Sequence, residues 1–182
     1  MQKSQIKFTY RDYLLLPELD RRELIEGDFF MVPAPNIKHQ EIVGNLGAIL
    51  RAHVRGHGLG KLLLAPTDVV LSEEDVVQPD LLFVSNERRD IITEDNVAGA
   101  PDLVIEVLSP STAERDMNLK LTLYARAGVG EYWIVDPDEE SDHVLELGPE
   151  GRRSTRTHTS GKVSSPALLG LDVEVGSIFA EA

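Results

Sequence analysis

Two acidic residues beside apolar runs are the strongest candidates for chemistry in this sequence. Glu106 lies within the run 103–108, and Asp80 precedes the run 81–84. An ionised carboxylate in a buried strand is costly unless it is paired with a cation or binds a metal. If the two strands are neighbours, both carboxylates reach one point, where their oxygens suit Mg²⁺ or Mn²⁺. The alternatives are a structural ion pair for Glu106 and a turn or capping role for Asp80.

A second Pro-Asp pair competes for the role of metal ligand. Pro101 and Asp102 repeat the dipeptide formed by Pro79 and Asp80. Asp102 and Glu106 would share one strand, about 13 Å apart at roughly 3.3 Å per residue, which is too far to bind one ion. We therefore expect Asp80 to be the partner of Glu106, and Asp102 to cap the start of its strand.

A lysine follows the Glu106 strand at helical spacing. Asp116, Lys120 and Tyr124 are each four residues apart, which places them on one face of a helix. From that face the Lys120 ammonium could reach the carboxylates, where it would orient a water molecule or stabilise developing negative charge. The alternative is a surface ion pair between Asp116 and Lys120, with Tyr124 at the edge of the core.

The elements that must position these residues are indicated by apolar periodicity and turn residues. A helix is predicted to begin after Asn36, a favourable N-cap, and to end at Gly56 and Gly58. The other predicted elements are a short helix 9–16, strand pieces 23–25 and 28–32, strands 61–71 and 76–84, a loop 85–100, a buried strand 102–109, a helix 111–127, a strand 131–136, and weak strands 143–147 and 152–159. Strands mixed with two amphipathic helices around one sheet indicate an α/β or α+β fold.

Length and composition predict a single domain spanning residues 1–182. The chain is 42% hydrophobic and 27% charged, which suits a packed core, and its net charge of −13 argues against a protein that coats nucleic acid electrostatically. The lack of cysteine excludes disulfides, thiolate zinc sites and cysteine nucleophiles. Since the sequence has neither a signal peptide nor an apolar run long enough for a membrane span, we expect no membrane contact and a cytoplasmic location.

The wider pattern resembles the Uma-two family of restriction endonucleases, within the PD-(D/E)XK nuclease superfamily. The superfamily signature is a Pro-Asp pair followed by a strand acid, a spacer and a lysine, and by itself it is weak evidence of membership. The longer match runs from about residue 9 to about residue 147, and the predicted strands of 148–182 lie outside it. It is carried by Glu23-Leu24-Ile25-Glu26-Gly27, Ala34-Pro35, His39-Gln40, Gln78-Pro79-Asp80-Leu81, the segment 101–112, Asp116, Lys120, Tyr124, Gly128-Val129 and the segment 131–137.

The resemblance implies a restriction-endonuclease-like fold, in which helices flank a mixed central β-sheet. It implies that Asp80 and Glu106 hold Mg²⁺ (or Mn²⁺), and that Val107 supplies its backbone carbonyl as a further ligand. The lysine of the motif should stand at position 108, where this sequence has Leu108. In this family the lysine has moved to the following helix, and Lys120 matches it there. The implied catalytic residues are therefore Asp80, Glu106 and Lys120.

Three further residues are secondary candidates for the site. Many members of the superfamily use an acid from the first core helix, which makes Glu41 a candidate, with His39 beside it. The alternatives are a favourable interaction of Glu41 with the helix dipole and a hydrogen bond from His39 to a loop. Tyr124 is the third candidate, on the helix face that carries Lys120.

Two functions from different classes are open at this point. The first is an endonuclease that hydrolyses phosphodiester bonds of DNA with a magnesium-activated water and works as a homodimer. The second is a catalytically inactive nuclease-fold protein used for binding or assembly, which Leu108 and the net charge of −13 favour. Divalent-ion binding at the pair of carboxylates separates the two hypotheses.

Overall fold

The computed structural model of the protein describes residues 6–17 and 21–181. Within these ranges the fold is α+β, with a mixed six-stranded sheet, a five-stranded sheet and one pair of short strands. The elements in chain order are α1 (Tyr10–Tyr13), β1 (Arg22–Ile25), β2 (Asp28–Met31), α2 (Ile37–His57), β3 (Gly60–Leu64), β4 (Val69–Ser72), β5 (Asp75–Val77), β6 (Leu81–Ser85), a 3-10 helix (Asn86–Ile91), β7 (Val97–Ala98), β8 (Leu103–Val107), a π-helical segment (Arg115–Lys120), α3 (Leu121–Ala127), β9 (Glu131–Asp136), β10 (Ser141–Gly148), β11 (Gly151–His158), β12 (Lys162–Val163), β13 (Val173–Glu174) and α4 (Val175–Ile178).

The six-stranded sheet has the strand order β11-β10-β9-β8-β6-β3. β8 runs parallel to β9 and antiparallel to β6, with Leu81 opposite Ile105. Every residue of β8 is buried, because both faces of this inner strand are covered by other layers. The apolar run 103–108 correctly predicts a strand inside the sheet.

The two faces of this sheet pack against different layers. One core contains the apolar face of α2 and the C-terminal segment, and the other contains α3 and part of the five-stranded sheet. Side chains alternate along β8, so Ile105 and Val107 belong to the first core and Val104 to the second. Glu106 shares the face of Val104 and therefore points toward α3.

The five-stranded sheet has the strand order β2-β1-β5-β4-β7 and begins with a tight hairpin. Ile25 pairs with Asp28, and the two turn residues Glu26 and Gly27 have φ of 52° and 74°. Positive φ at both central positions is the geometry of a two-residue hairpin turn, in which glycine is favoured. The hairpin brings the acidic side chain of Glu23 into the interior, where it is 1% exposed.

The predicted N-cap of the long helix α2 is confirmed. The Asn36 side chain accepts a hydrogen bond from the His39 backbone N–H at 2.8 Å. The helix ends at Gly58, as predicted, where the backbone adopts the left-handed conformation (φ 61°), and Gly56 lies inside the helix. Neither α2 nor any other helix of the described ranges is long and apolar enough to cross a membrane.

Two predicted strands are wrong in the same way. The segment 61–71 divides into β3 and β4, and the segment 76–84 divides into β5 and β6, with the halves in different sheets. The breaks fall at Pro66 and Pro79, because proline has no N–H to continue a strand ladder. The predicted helix 111–127 also differs, since residues 115–120 form a π-helical segment ahead of α3.

Candidate active site

Strand pairing brings the two predicted acids to the same end of the six-stranded sheet. Leu81, the first residue of β6, lies opposite Ile105 of β8, so Asp80 and Glu106 are the next residues at the adjoining ends of these two strands. Both side chains line a cavity of about 650 Å³.

Asp80 is fixed at the end of the loop that leads into β6. Its Oδ2 accepts a hydrogen bond from the Val107 backbone N–H at 2.8 Å, and the same oxygen lies 3.1 Å from His39 Nε2. The side chain keeps 18% of its surface exposed, toward the cavity that it lines. Asp80 is thus held against the neighbouring strand and remains accessible to a ligand.

His39 reaches the site from the first turn of α2, which the N-cap Asn36 orients. Burial lowers the pKa of His39, but the hydrogen bond and charge of Asp80 raise it above its ordinary value overall. His39 therefore carries positive charge more readily than a histidine in water, and it contacts Asp80, one of the residues that the family resemblance assigns to the metal.

Glu106 accepts two hydrogen bonds on one oxygen. Lys120 Nζ donates to Oε1 at 2.8 Å, and the Tyr124 hydroxyl donates to the same atom at 2.7 Å. Glu106, Lys120 and Tyr124 are 4%, 3% and 0% exposed. The helix face predicted from the four-residue spacing is the one that covers Glu106, so the alternative of a surface ion pair for Lys120 is wrong.

Glu23 is the acidic residue of the site that the sequence reasoning missed. Its Oε1 lies 2.8 Å from Lys120 Nζ and accepts the Gln78 backbone N–H at 3.1 Å, while its Oε2 lies 3.7 Å from Arg115 Nη2. The pattern that indicated Glu106, an acid within an apolar strand, also holds for Glu23 in the strand 23–25. It was passed over because β1 belongs to another sheet and joins the site only through tertiary packing.

The buried carboxylates around Lys120 outnumber its single ammonium group. Asp116 Oδ1 lies 3.4 Å from Lys120 Nζ, so Glu23, Glu106 and Asp116 share one ammonium. Burial raises the pKa of Glu106; Lys120 opposes this, and Asp116, Asp80 and Glu23 add to it. Burial lowers the pKa of Lys120, but the surrounding carboxylates raise it overall, so the ammonium stays charged.

Two carboxylate oxygens beside the acidic pair lack a hydrogen-bond donor. In the described part of the chain, Glu23 Oε2 and Asp116 Oδ1 are buried without a hydrogen-bond donor. The same residues contain no group of three or more His, Asp or Glu side chains arranged to enclose an ion. Mg²⁺ is bound by one or two carboxylates, with water and substrate oxygens completing its shell, so the pair Asp80 and Glu106 suits this mode.

The other predicted residues are placed as follows. Glu41 is half-buried on α2 and is not among the residues that line the cavity. Leu108 is buried in the core beside α3, and its backbone N–H donates to the Val135 carbonyl. Asp102 accepts the Ser85 backbone N–H at 2.7 Å, as expected for a residue that caps the sheet end rather than joining the site.

The mixed sheet, its flanking helices and the acidic pair with its lysine define the class of restriction-endonuclease-like proteins. The chain belongs to the Uma2 family, described as "Putative restriction endonuclease", whose model matches residues 10–176. Its fold is similar to that of a solved structure described as "a putative nuclease belonging to DUF820 from Anabaena variabilis ATCC 29413", with a TM-score of 0.79 and 23% sequence identity over 94% of this chain and 97% of that chain. No curated protein matches the chain. The family and the fold class predicted from the sequence are confirmed.

Proposed function

We propose that the protein is a metal-dependent endonuclease that hydrolyses phosphodiester bonds of DNA. The observation that supports this most strongly is the pairing of Lys120 with Glu106 beside Asp80 in one cavity. The family description, and that of the similar solved structure, point to the same reaction class. The proposal includes Mg²⁺ (or Mn²⁺) as cofactor and a cytoplasmic location.

The carboxylates of Asp80 and Glu106, with the backbone carbonyl of Val107, would hold the metal ion. When bound, Mg²⁺ supplies Lewis acidity at a phosphoryl oxygen and lowers the pKa of a bound water. Lys120 and Tyr124 both donate to Oε1 of Glu106, so Oε2 is the oxygen that would bind the metal ion. The hydrogen bond from the Val107 N–H to Oδ2 fixes the orientation of the Asp80 carboxylate that would bind the same ion.

Lys120 would orient the attacking water and stabilise the negative charge that develops on the phosphoryl group. In the reaction, the water oxygen bonds to phosphorus, the bond from phosphorus to the 3′ oxygen breaks, and the 3′ oxygen takes up a proton. The carboxylates of Glu23 and Asp116 keep the ammonium charged and in place. Lys120 can therefore take the role of a lysine at position 108, where Leu108 is buried in the core.

A homodimer is part of the proposal, because closed twofold assemblies are the commonest oligomers. Sedimentation or light scattering at several concentrations tests this directly, and a monomer at all concentrations would contradict it.

A catalytically inactive binding or assembly protein is the second candidate. The observation that favours it is the burial of Lys120 among three carboxylates, an arrangement that also serves as a structural ion cluster. In that case the protein would bind no divalent ion at Asp80 and Glu106, and substitution of Lys120 would affect stability alone.

Cleavage of DNA by matched variants separates the candidates. Supercoiled plasmid and single-stranded DNA are each incubated with purified protein and Mn²⁺ or Mg²⁺, and the cut products are measured. We expect the wild type to cut, Glu106→Gln to lose at least 100-fold in rate, and Glu41→Gln to keep wild-type activity, since Glu41 lies outside the cavity lining. No cutting of either DNA by the wild type, or equal cutting by Glu106→Gln, would contradict the nuclease proposal and favour the second candidate.

A further inference from the structure

The two most buried groups of the proposed site form the inner end of the cavity, here called its floor. Glu106 and Lys120 are 4% and 3% exposed, and both line the cavity of about 650 Å³. A phosphate must therefore enter the cavity to approach the carboxylates within about 3 Å, the distance that reaction requires.

A phosphate group of a DNA duplex cannot easily reach the floor of this cavity. Its phosphates lie on the outside of a stiff rod with a persistence length of about 50 nm, and the backbone of one strand does not bulge while its bases stay paired. A single strand has no such constraint and bends at each nucleotide. Because Glu106 is buried, the site favours single-stranded DNA over base-paired DNA as its substrate.

The charge of the protein favours the same substrate. The net charge is −13, and a duplex carries one negative charge per about 1.7 Å, twice the density of a single strand at about 3.4 Å. Arg21 and Arg115 line the cavity together with its acidic floor. Two cations beside the floor match a short stretch of one backbone better than two backbones of a duplex.

The rim of the cavity is apolar on one side. Pro33, Ala34 and Pro35 line the cavity, and their chain neighbours Met31 and Ile37 are 73% and 79% exposed. Apolar side chains can pack on the faces of bases that have left the stack, and a single strand exposes these faces more than a duplex does. The segment 31–37, here called the apolar rim, is suited to contact such bases next to the backbone that enters the cavity.

We infer that the cavity takes single-stranded DNA, or an unpaired stretch within a duplex, with its backbone at Arg115 and its bases against the apolar rim. This rests on the proposed nuclease function and names the substrate form that the same site accepts. The guanidinium of Arg115 lines the cavity, where it is held by the Met31 carbonyl (Nη1, 3.4 Å), by Glu23 Oε2 (Nη2, 3.7 Å) and by the Phe30 ring (5.5 Å).

The test compares three end-labelled DNAs of one sequence: a single strand, a perfect duplex, and a duplex with a central unpaired bubble. With Mn²⁺ we expect the wild type to cut the single strand and the bubble at least tenfold faster than the duplex. Binding of the same DNAs is measured by fluorescence anisotropy with Ca²⁺. Cutting or binding of the duplex as strong as that of the single strand would overturn the inference. Preferential binding of the single strand without any cutting would support it and refute the nuclease function alone.

Rim variants test the contact with the bases. Replacing the two large exposed hydrophobic residues of the rim, Met31→Ser with Ile37→Ser, should raise the dissociation constant for the single strand about fivefold and leave the melting temperature unchanged. The matched control is Leu169→Ser, 75% exposed and located against the far end of α2 through its carbonyl contact with His53. Unchanged single-strand binding in the double variant, or an equal loss in the control, would contradict the role of the apolar rim.

Discussion

Lys120 donates a hydrogen bond to Glu106 at 2.8 Å, across 14 positions of sequence and from a different element. The ammonium also lies 2.8 Å from Glu23 and 3.4 Å from Asp116, so one cation joins the six-stranded sheet, the five-stranded sheet and the helical segment before α3. The ammonium of Lys120 would therefore serve the proposed reaction and also hold these three elements together. The two roles can be separated experimentally.

Replacement of Lys120 by methionine should abolish cleavage and destabilise the fold. The side-chain stem is kept, but three buried carboxylates lose their cation, which costs on the order of 3–5 kcal/mol. Urea unfolding measures the loss of stability, and plasmid cleavage with Mn²⁺ measures the loss of activity. Adding Glu23→Gln to this variant should recover part of the stability and none of the activity. Full activity of Lys120→Met would contradict the proposed role of Lys120.

Glu23→Gln tests whether this acid positions Lys120. We expect kcat to fall about tenfold, because Lys120 loses one of the carboxylates that hold its ammonium. The matched control is Glu26→Gln, in the same hairpin, where Glu26 pairs with the half-exposed Arg126 outside the cavity. Equal kinetics of the two variants would show that Glu23 has no positioning role.

Tyr124→Phe and Tyr132→Phe form a matched pair. Both rings are fully buried and their centroids are 5.0 Å apart, but Tyr124 donates to Glu106 while Tyr132 donates to the Asp116 carbonyl. Each variant loses one buried hydrogen bond and should be destabilised by about 1–3 kcal/mol in urea unfolding. Only Tyr124→Phe should also slow DNA cleavage, since Glu106 loses its second donor. Equal slowing by both variants would indicate a general packing effect.

Asp142 should make stability depend on pH outside the site. It is fully buried in β10, and within the described residues neither of its carboxylate oxygens has a hydrogen-bond partner. Burial raises the pKa of Asp142 from 3.8 to about 8, with a further contribution from the charge of Glu131. Between these values the folded state holds the proton that the unfolded state releases, so this contribution is present below pH 4 and is lost as pH rises to about 8.

The measurement is urea unfolding at several pH values with Asp142→Asn as the control, which mimics the neutral acid. Between pH 6 and pH 8 the free energy of unfolding of the wild type should fall by about 2 kcal/mol more than that of the variant, since one proton corresponds to about 1.4 kcal/mol per pH unit. Parallel pH curves for the two proteins would refute the assignment.

Some residues of this site can be predicted from local sequence patterns, and others cannot. Asp80 and Glu106 stand out because acids are costly beside apolar strand residues, and Lys120 follows from helical spacing. Glu23 carries the same local signal, but its membership depends on how the five-stranded sheet packs, which no short-range pattern specifies. The breaks at Pro66 and Pro79 were missed because the apolar residues on both sides of each proline read as one strand, although the two halves join different sheets.

Calorimetric titration with Mn²⁺ tests the central claim, that Asp80 and Glu106 hold one cation between them, most directly. We predict saturable binding of one ion per chain to the wild type and to Glu41→Gln, and loss of the binding heat in Asp80→Ala and in Glu106→Gln. Equal heats for the wild type and Asp80→Ala would contradict the account.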